Sequence, residues 1–263
     1  GDERVHWKSE TIGGLGTCTT TYGYDSANRL SSVSASGSGC PYTGNYTYDA
    51  DGNRNGFGYS YDAQDRLLSE GRYTLNYSAN GEPTSKIYGS NYAYYYSYDV
   101  LGNLRHWQYN YYGSPYQTED FKIDGRNRRI SEYFNGGFQA GWLYDGDRVI
   151  AELDGGHNLL SHFAYVTKPN VPDLMLRKVN GSWDLYRIIS DELGTVKAVV
   201  RVSDGHIMET YTYSDGWGTA ANAASWQPFG FAGGLRDPNS GLLRFGARDF
   251  ETGSGRWLTK DQA

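Results

Sequence analysis

The chain has 263 residues, a net charge of −6, 25 tyrosines and 35 glycines. That length suits one large β domain or two small ones, and an acidic chain without a Lys/Arg cluster lacks the basic stripe of a nucleic-acid module. No apolar run approaches the roughly 18 residues of a membrane span, and the opening GDERVHWKSE is not a signal peptide.

The chain starts without Met, so it is expected to be a processed product or an excised piece. Aromatics make up 16% of it, and Tyr, Thr, Val and Trp suit pleated surfaces. Gly, Asn and Asp are abundant enough to supply many tight turns. The composition is therefore read as all-β. Residues 1–20 are expected to form a lead-in strand. Cys18 and Cys40 each fall shortly before a Tyr-x-Tyr-Asp unit, which would place them on neighbouring strands. They are expected to form a disulfide, against the alternative of two unrelated thiols. Such a bridge would contribute about 3 kcal/mol and would suit an extracellular protein.

From residue 21 to 226 the chain repeats one unit: aromatic-x-aromatic-Asp, a turn, then a second strand. It reads YGYDSANRL from Tyr22, YTYDADGNR from Tyr46, YSYDAQDRL from Tyr59 and YSYDVLGNL from Tyr96. Weaker copies start at Phe121, Trp142 and Tyr211, and Tyr73–Tyr77 followed by Asn80-Gly81 is a degenerate one. Aromatics two apart share one face of a strand. An Asp after the second can accept backbone N–H bonds from two residues on and start a turn. Each unit is thus a hairpin, marginal alone and obliged to stack on the next. Segment 186–218 reads as two further strands around Asp204-Gly205, and Lys168–Pro172 as a loop, since Pro cannot donate to a ladder.

These units resemble the YD repeats of the Rhs family, which includes the shell components of insecticidal toxin complexes and the teneurins. The resemblance implies an antiparallel array of hairpins spiralling into a curved sheet or hollow shell around a cargo polypeptide. It also implies a secreted or cell-surface bacterial protein.

Residues 227–263 resemble the Rhs-associated core. The matching residues are Pro228-Phe229, Gly233, Asp237, Gly241-Leu242, Ala247-Arg248-Asp249, Gly255-Arg256-Trp257 and Asp261. In self-cleaving members this segment plugs one end of the shell, and its carboxylates release the cargo by an aspartyl-protease-like cut. Carried over, the candidates are Asp249 and Asp261, with Arg248 as charge partner. In a shared site one carboxyl would keep a proton and the other would activate water. The alternative is that both are turn or salt-bridge residues. The sequence departs from the family in having Gln262 where Pro is usual, and it stops at Ala263 without a cleavage junction. Capping, rather than cutting, is the expected role.

Other chemistry finds no motif. There is no Gly-x-Ser-x-Gly elbow, phosphate loop or His-Glu-x-x-His, and no cofactor or metal is expected. His157 and His162 lack a third partner, and Asp49–Asn53 lacks the later ligands of a calcium loop. Tyrosine ladders could stack on sugars, which leaves a glycan-binding adhesin as an alternative. The leading expectation is a structural shell: about ten hairpins, roughly 20 strands and 100 Å of sheet. Its exposed edges would pair with copies of itself, giving a tube or filament. A degenerate aspartyl autoprotease is the second alternative.

Overall fold

The computed structural model describes residues 4–12, 16–38, 40, 42–221 and 226–261. The first sheet runs in order through β1 (Trp7–Ile12), β2 (Gly16–Tyr24), β3 (Leu30–Gly37) and β4 (Gly44–Asn45), with β5 (Thr47–Tyr48) and β6 (Arg54–Asn55) as a separate pair. The main wall is a 15-stranded antiparallel sheet in plain sequence order. It comprises β7 (Ser60–Tyr61), β8 (Leu67–Glu70), β9 (Tyr73–Tyr77), β10 (Pro83–Tyr88), β11 (Tyr92–Tyr98), β12 (Leu104–Tyr111), β13 (Ser114–Ile123), β14 (Arg129–Phe134), β15 (Gly137–Asp145), β16 (Arg148–Leu153), β17 (Leu159–Ala164), β18 (Leu174–Val179), β19 (Ser182–Ser190), β20 (Val196–Arg201) and β21 (Ile207–Thr210). A last four-stranded sheet holds β22 (Leu235–Arg236), β23 (Leu243–Phe245), β24 (Arg248–Glu251) and β25 (Arg256–Trp257). No helix among the described residues is long and apolar enough to cross a membrane. The all-β array of hairpins is as the sequence implies. Cys18 and Cys40 are disulfide-bonded and tie β2 to the segment after β3.

The repeated turn has one chemistry. The aspartate's Oδ1 accepts the backbone N–H groups two and four residues on: Ala27 and Arg29 at Asp25, Gln64 and Arg66 at Asp62, Leu101 and Asn103 at Asp99, Arg126 and Arg128 at Asp124. The residue three after the aspartate turns left-handed, so Asn28 and Asn127 (φ +65° and +61°) or Gly102 (φ +77°) stand there. A turn of this length ends in a bulge, and the ladder slips beside it, as between Ser97 and Tyr98.

Two such turns lack the aromatic pair and escaped the sequence reading. Asp154 accepts from Gly156 and Asn158, and Asp191 from Leu193 and Thr195. The copy from Trp142 differs, because Asp145 faces Arg148 across a two-residue turn. In the copy from Tyr211 the turn residue is Asp215, one place later than in the other units.

A second bond stitches several of the hairpins to the one before. The tyrosine preceding the turn donates its hydroxyl to the carbonyl five residues past the previous turn's aspartate. Tyr48 reaches Leu30 O, Tyr61 reaches Arg54 O, Tyr77 reaches Leu67 O and Tyr144 reaches Arg129 O, at 2.7–2.8 Å. Arginines at the turn lie over those rings: Arg29 over Tyr48, Arg66 over Tyr77 and Arg128 over Tyr144, 4.4–5.2 Å from the centroids. Tyr98 breaks the series, since its buried hydroxyl has no partner.

The wall curls on itself. β7 and β21 lie at opposite ends of 15 strands, roughly 65 Å apart along a flat sheet. Yet Arg54, just before β7, lies over the Trp217 ring just after β21, 5.1 Å from its centroid. Tyr46 packs edge-on against Trp217 as well. Lys8 of the first sheet reaches Asp191 and Glu192 at the turn before β20. Side chains, not backbone ladders, close this seam. The closing segment lies against the inner face. Leu242 and Leu258 join Tyr96, Leu104, Trp107 and Phe121 in one core, and Phe229 and Leu235 join Trp142, Phe163, Tyr186 and Val196 in another.

Replacing Tyr144 by Phe removes one stitch and leaves the Arg129 carbonyl short of a donor. Urea denaturation is expected to show a loss of about 1–2 kcal/mol; a variant as stable as the parent would show that the hydroxyl does not hold the hairpins together.

Candidate functional site: the plug and its anchors in the wall

Residues 227–261 form a small sheet fastened into the curved wall by charged groups. Asp249 of β24 is 2% exposed. Its Oδ1 accepts from Arg129 Nη2 of β14 and its Oδ2 from Arg244 Nη1 of β23, both at 2.7 Å. Arg244 also donates to Asn103 Oδ1 and the Asn127 carbonyl, on two successive repeat turns. Glu251, two residues on and on the same face, pairs with Lys86 of β10 at 2.7 Å, and Lys86 is held from its other side by Glu70. Arg54 donates to the Ser254 carbonyl at 2.9 Å, and Arg256 returns a bond to Asp65 O at 2.7 Å.

The structure does not bring Asp249 and Asp261 together. Consecutive residues point to opposite faces of a strand. Asp249 points inward to two arginines, while Arg248 is partly exposed, stacks over Trp257 at 4.3 Å and meets Asp261 at 3.3 Å. The Asp261 side chain is 81% exposed. The expected carboxyl pair with a shared proton is therefore not formed by these two residues, because both Asp249 oxygens are engaged by guanidinium groups. Gln262 and Ala263 lie outside the described residues.

A different set of acidic groups does converge. Glu119 of β13, Glu132 of β14 and Asp237 after β22 are 0%, 3% and 1% exposed. Asp237 caps its own turn through Asn239 N and Ser240 N, and Asn239 Nδ2 crosses to Glu119 Oε1 at 2.5 Å and Gln139 Oε1 at 3.0 Å. Gln139 Nε2 donates to Glu132 Oε1. Arg129 lies over the Phe121 ring, 3.6 Å from its centroid, and 3.9 Å from Asp237.

Asp237 was visible in the sequence as part of the core match; Glu119, Glu132, Arg129 and Arg244 were not singled out. One signal could have found the arginine. The position five after each turn aspartate faces inward and is usually apolar: Leu67, Leu104 and Val196 are at most 1% exposed there. Arginine takes that place twice, as Arg54 and Arg129, and both arginines grip the plug.

Glu10, Asp191 and Glu192 also converge, with carboxylate oxygens within 4.8 Å of one another. The Lys8 ammonium pairs with all three at 3.4–3.7 Å, and Lys197 with Asp191, so protein cations already offset two of the three charges.

Asp249→Asn would leave two buried guanidinium groups without their anion. Denaturant unfolding is expected to show a loss of about 3–5 kcal/mol, whereas Asp261→Asn, altering a surface pair, should be near neutral. Equal losses for the two would remove the anchoring role of Asp249.

Residues 2–263 match the family described as Teneurin YD-shell. Teneurin-3 of Mus musculus is 28% identical over 147 residues, covering 55% of this chain and 5% of that protein. Among solved structures, the TcdB2–TccC3 crystal structure without the hypervariable C-terminal region covers 93% of this chain and 17% of its own, at 16% identity and a TM-score of 0.33. A Photorhabdus luminescens Tc holotoxin pore covers 94% and 17%, at 15% identity and a TM-score of 0.33. The chain thus spans a small fraction of these relatives, and the host expected from the sequence does not follow from them. The match over nearly all of its length means that the chain belongs to the teneurin YD-shell family.

Proposed function

We propose that this chain is the plugged end of a polypeptide-enclosing shell. The observation that carries the reading is the plug itself. Its polar and charged residues reach wall strands from β10 to β15, and the wall curls far enough for its ends to meet around it. Cavities beside the plug measure about 410 and 480 Å³, room for a few side chains rather than a folded cargo. Space for a cargo would come from further wall, either more hairpins or other copies pairing at the sheet edges. The Cys18–Cys40 disulfide suits work in an oxidising, extracellular setting.

The test is protection. A protease-sensitive polypeptide fused after the plug should be digested freely when joined to this chain alone. It should resist when further YD hairpins extend the wall. Equal digestion of both fusions would sink the reading. Light scattering on the isolated chain separates the self-assembling version, which predicts particles growing with concentration, from a closed monomer.

A further inference from the structure

The plug–wall junction holds more buried acid than buried base. Four carboxyl groups meet there: Glu119, Glu132, Asp237 and Asp249. Two cations face them, Arg129 from β14 and Arg244 from β23; both pair with Asp249 at 2.7 Å, and Arg129 reaches Asp237 only at 3.9 Å. Among the described residues, the nearby charged groups of the neighbouring strands are engaged with one another. On β16 and β18, Glu152 and Arg177 pair with each other at 3.0 Å. On β10, Lys86 is shared by Glu70 and Glu251. Gln139 of β15 and Asn239 of the plug are neutral donors already engaged. One oxygen each on Glu119, Glu132 and Asp237 is buried without a hydrogen-bond donor. If all four carboxyls were ionised, two negative charges would be buried without compensation, and an uncompensated buried charge takes up a proton instead.

We propose that the plug is latched to the wall by protonated carboxyl groups: Glu119 of the wall and Asp237 of the plug share one proton across the junction, Glu132 holds a second, and loss of these protons loosens the plug. The Glu119 and Asp237 side chains lie within hydrogen-bonding reach of each other, and each has one oxygen without a donor, so a proton on either can serve both. Burial, then the Asp237 carboxylate, pushes Glu119 up to about 10. Burial, then Asp237, pushes Glu132 up to about 8, against the opposing pull of Arg129. Both values exceed the ordinary 4.5 of a free glutamate. The latched state therefore holds more protons than the released state at neutral pH. Its contribution is complete below about pH 4.5, falls steadily as pH rises from there to about 8, falls more gently beyond 8 and is gone once pH passes about 10. A metal ion is the other way to balance such charge. Among the described residues, however, the group of three acidic side chains whose oxygens come within 4.8 Å of one another is Glu10, Asp191 and Glu192, not this one. The latch does not depend on what the shell contains.

The direct test is proton counting. Unfolding the chain at pH 7 in weakly buffered denaturant, read with a pH indicator, should release about two protons, and about one for Glu119→Gln. Hydrogen exchange of plug amides in β23 and β24, corrected for intrinsic rates, should rise about tenfold or more between pH 6 and pH 10 in the parent. It should rise much less in Glu119→Gln, where the amide stands in for the protonated acid. Unfolding at pH 7 without proton release overturns the proposal. So does a plug that loosens on chelation of divalent cations rather than with pH, or identical pH profiles for parent and variant. If Glu119→Gln does not fold, proton release by the parent still decides the matter.

Discussion

The structure depends on a tyrosine hydroxyl reaching back to the preceding hairpin. The aspartate shapes each turn by collecting two backbone N–H groups, which is a local matter. The hydroxyl bond from Tyr48, Tyr61, Tyr77 or Tyr144 is different, because it fixes where one hairpin sits on the last. A slip of one residue in an antiparallel pair would turn every inward side chain outward. A donor at a set height above a set carbonyl forbids that slip. The bulge left by each turn adds local twist, and a sheet that twists in the same sense at every repeat must curl. Curvature in this chain is thus the sum of one small chemical device used many times.

Much of this was legible. The Tyr-x-Tyr-Asp units at Tyr22, Tyr46, Tyr59 and Tyr96 announced both the hairpins and their stacking. Asp154 and Asp191 were missed because their strands end in Leu153 and Ser190 instead of tyrosine, so the turn survives without a tyrosine before it to donate a stitch. The site was less legible, for a physical reason. Hydrophobic alternation would send Ile130 inward and Arg129 outward, yet Ile130 is 39% exposed and Arg129 is buried. What sets the face is the repeat register, not the polarity of the residue. The same blindness applied to Asp249 and Asp261. A motif groups them in sequence, but the pleat of β24 sends Asp249 to the arginines and Arg248, the partner of Asp261, to the surface.

A plug held by charges behaves differently from one held by apolar contact. Buried ion pairs add little net stability compared with a well-packed apolar core, but they tolerate few alternative arrangements. Leu242, Leu258, Phe229 and Leu235 supply the burial. Asp249, Glu251, Arg244 and Asn239 supply the position. We read the division as the means by which a short segment finds one seat on a wall whose repeats all look alike: a Tyr ladder offers many equivalent grooves, and two inward arginines single out one.

The seam where Lys8 meets Asp191 and Arg54 meets Trp217 has a mechanical meaning. Within the 15-stranded wall every junction between neighbouring strands is a ladder of backbone bonds loaded together in shear. The seam is a handful of side-chain contacts that can separate in succession, like the teeth of a zip. The disulfide stiffens the sheet on one side of that line and crosses nothing, so it leaves the line free to open. A pull or a twist on the shell would open it along this edge, as a door swings on a frame, with the wall's own ladders intact and able to close again.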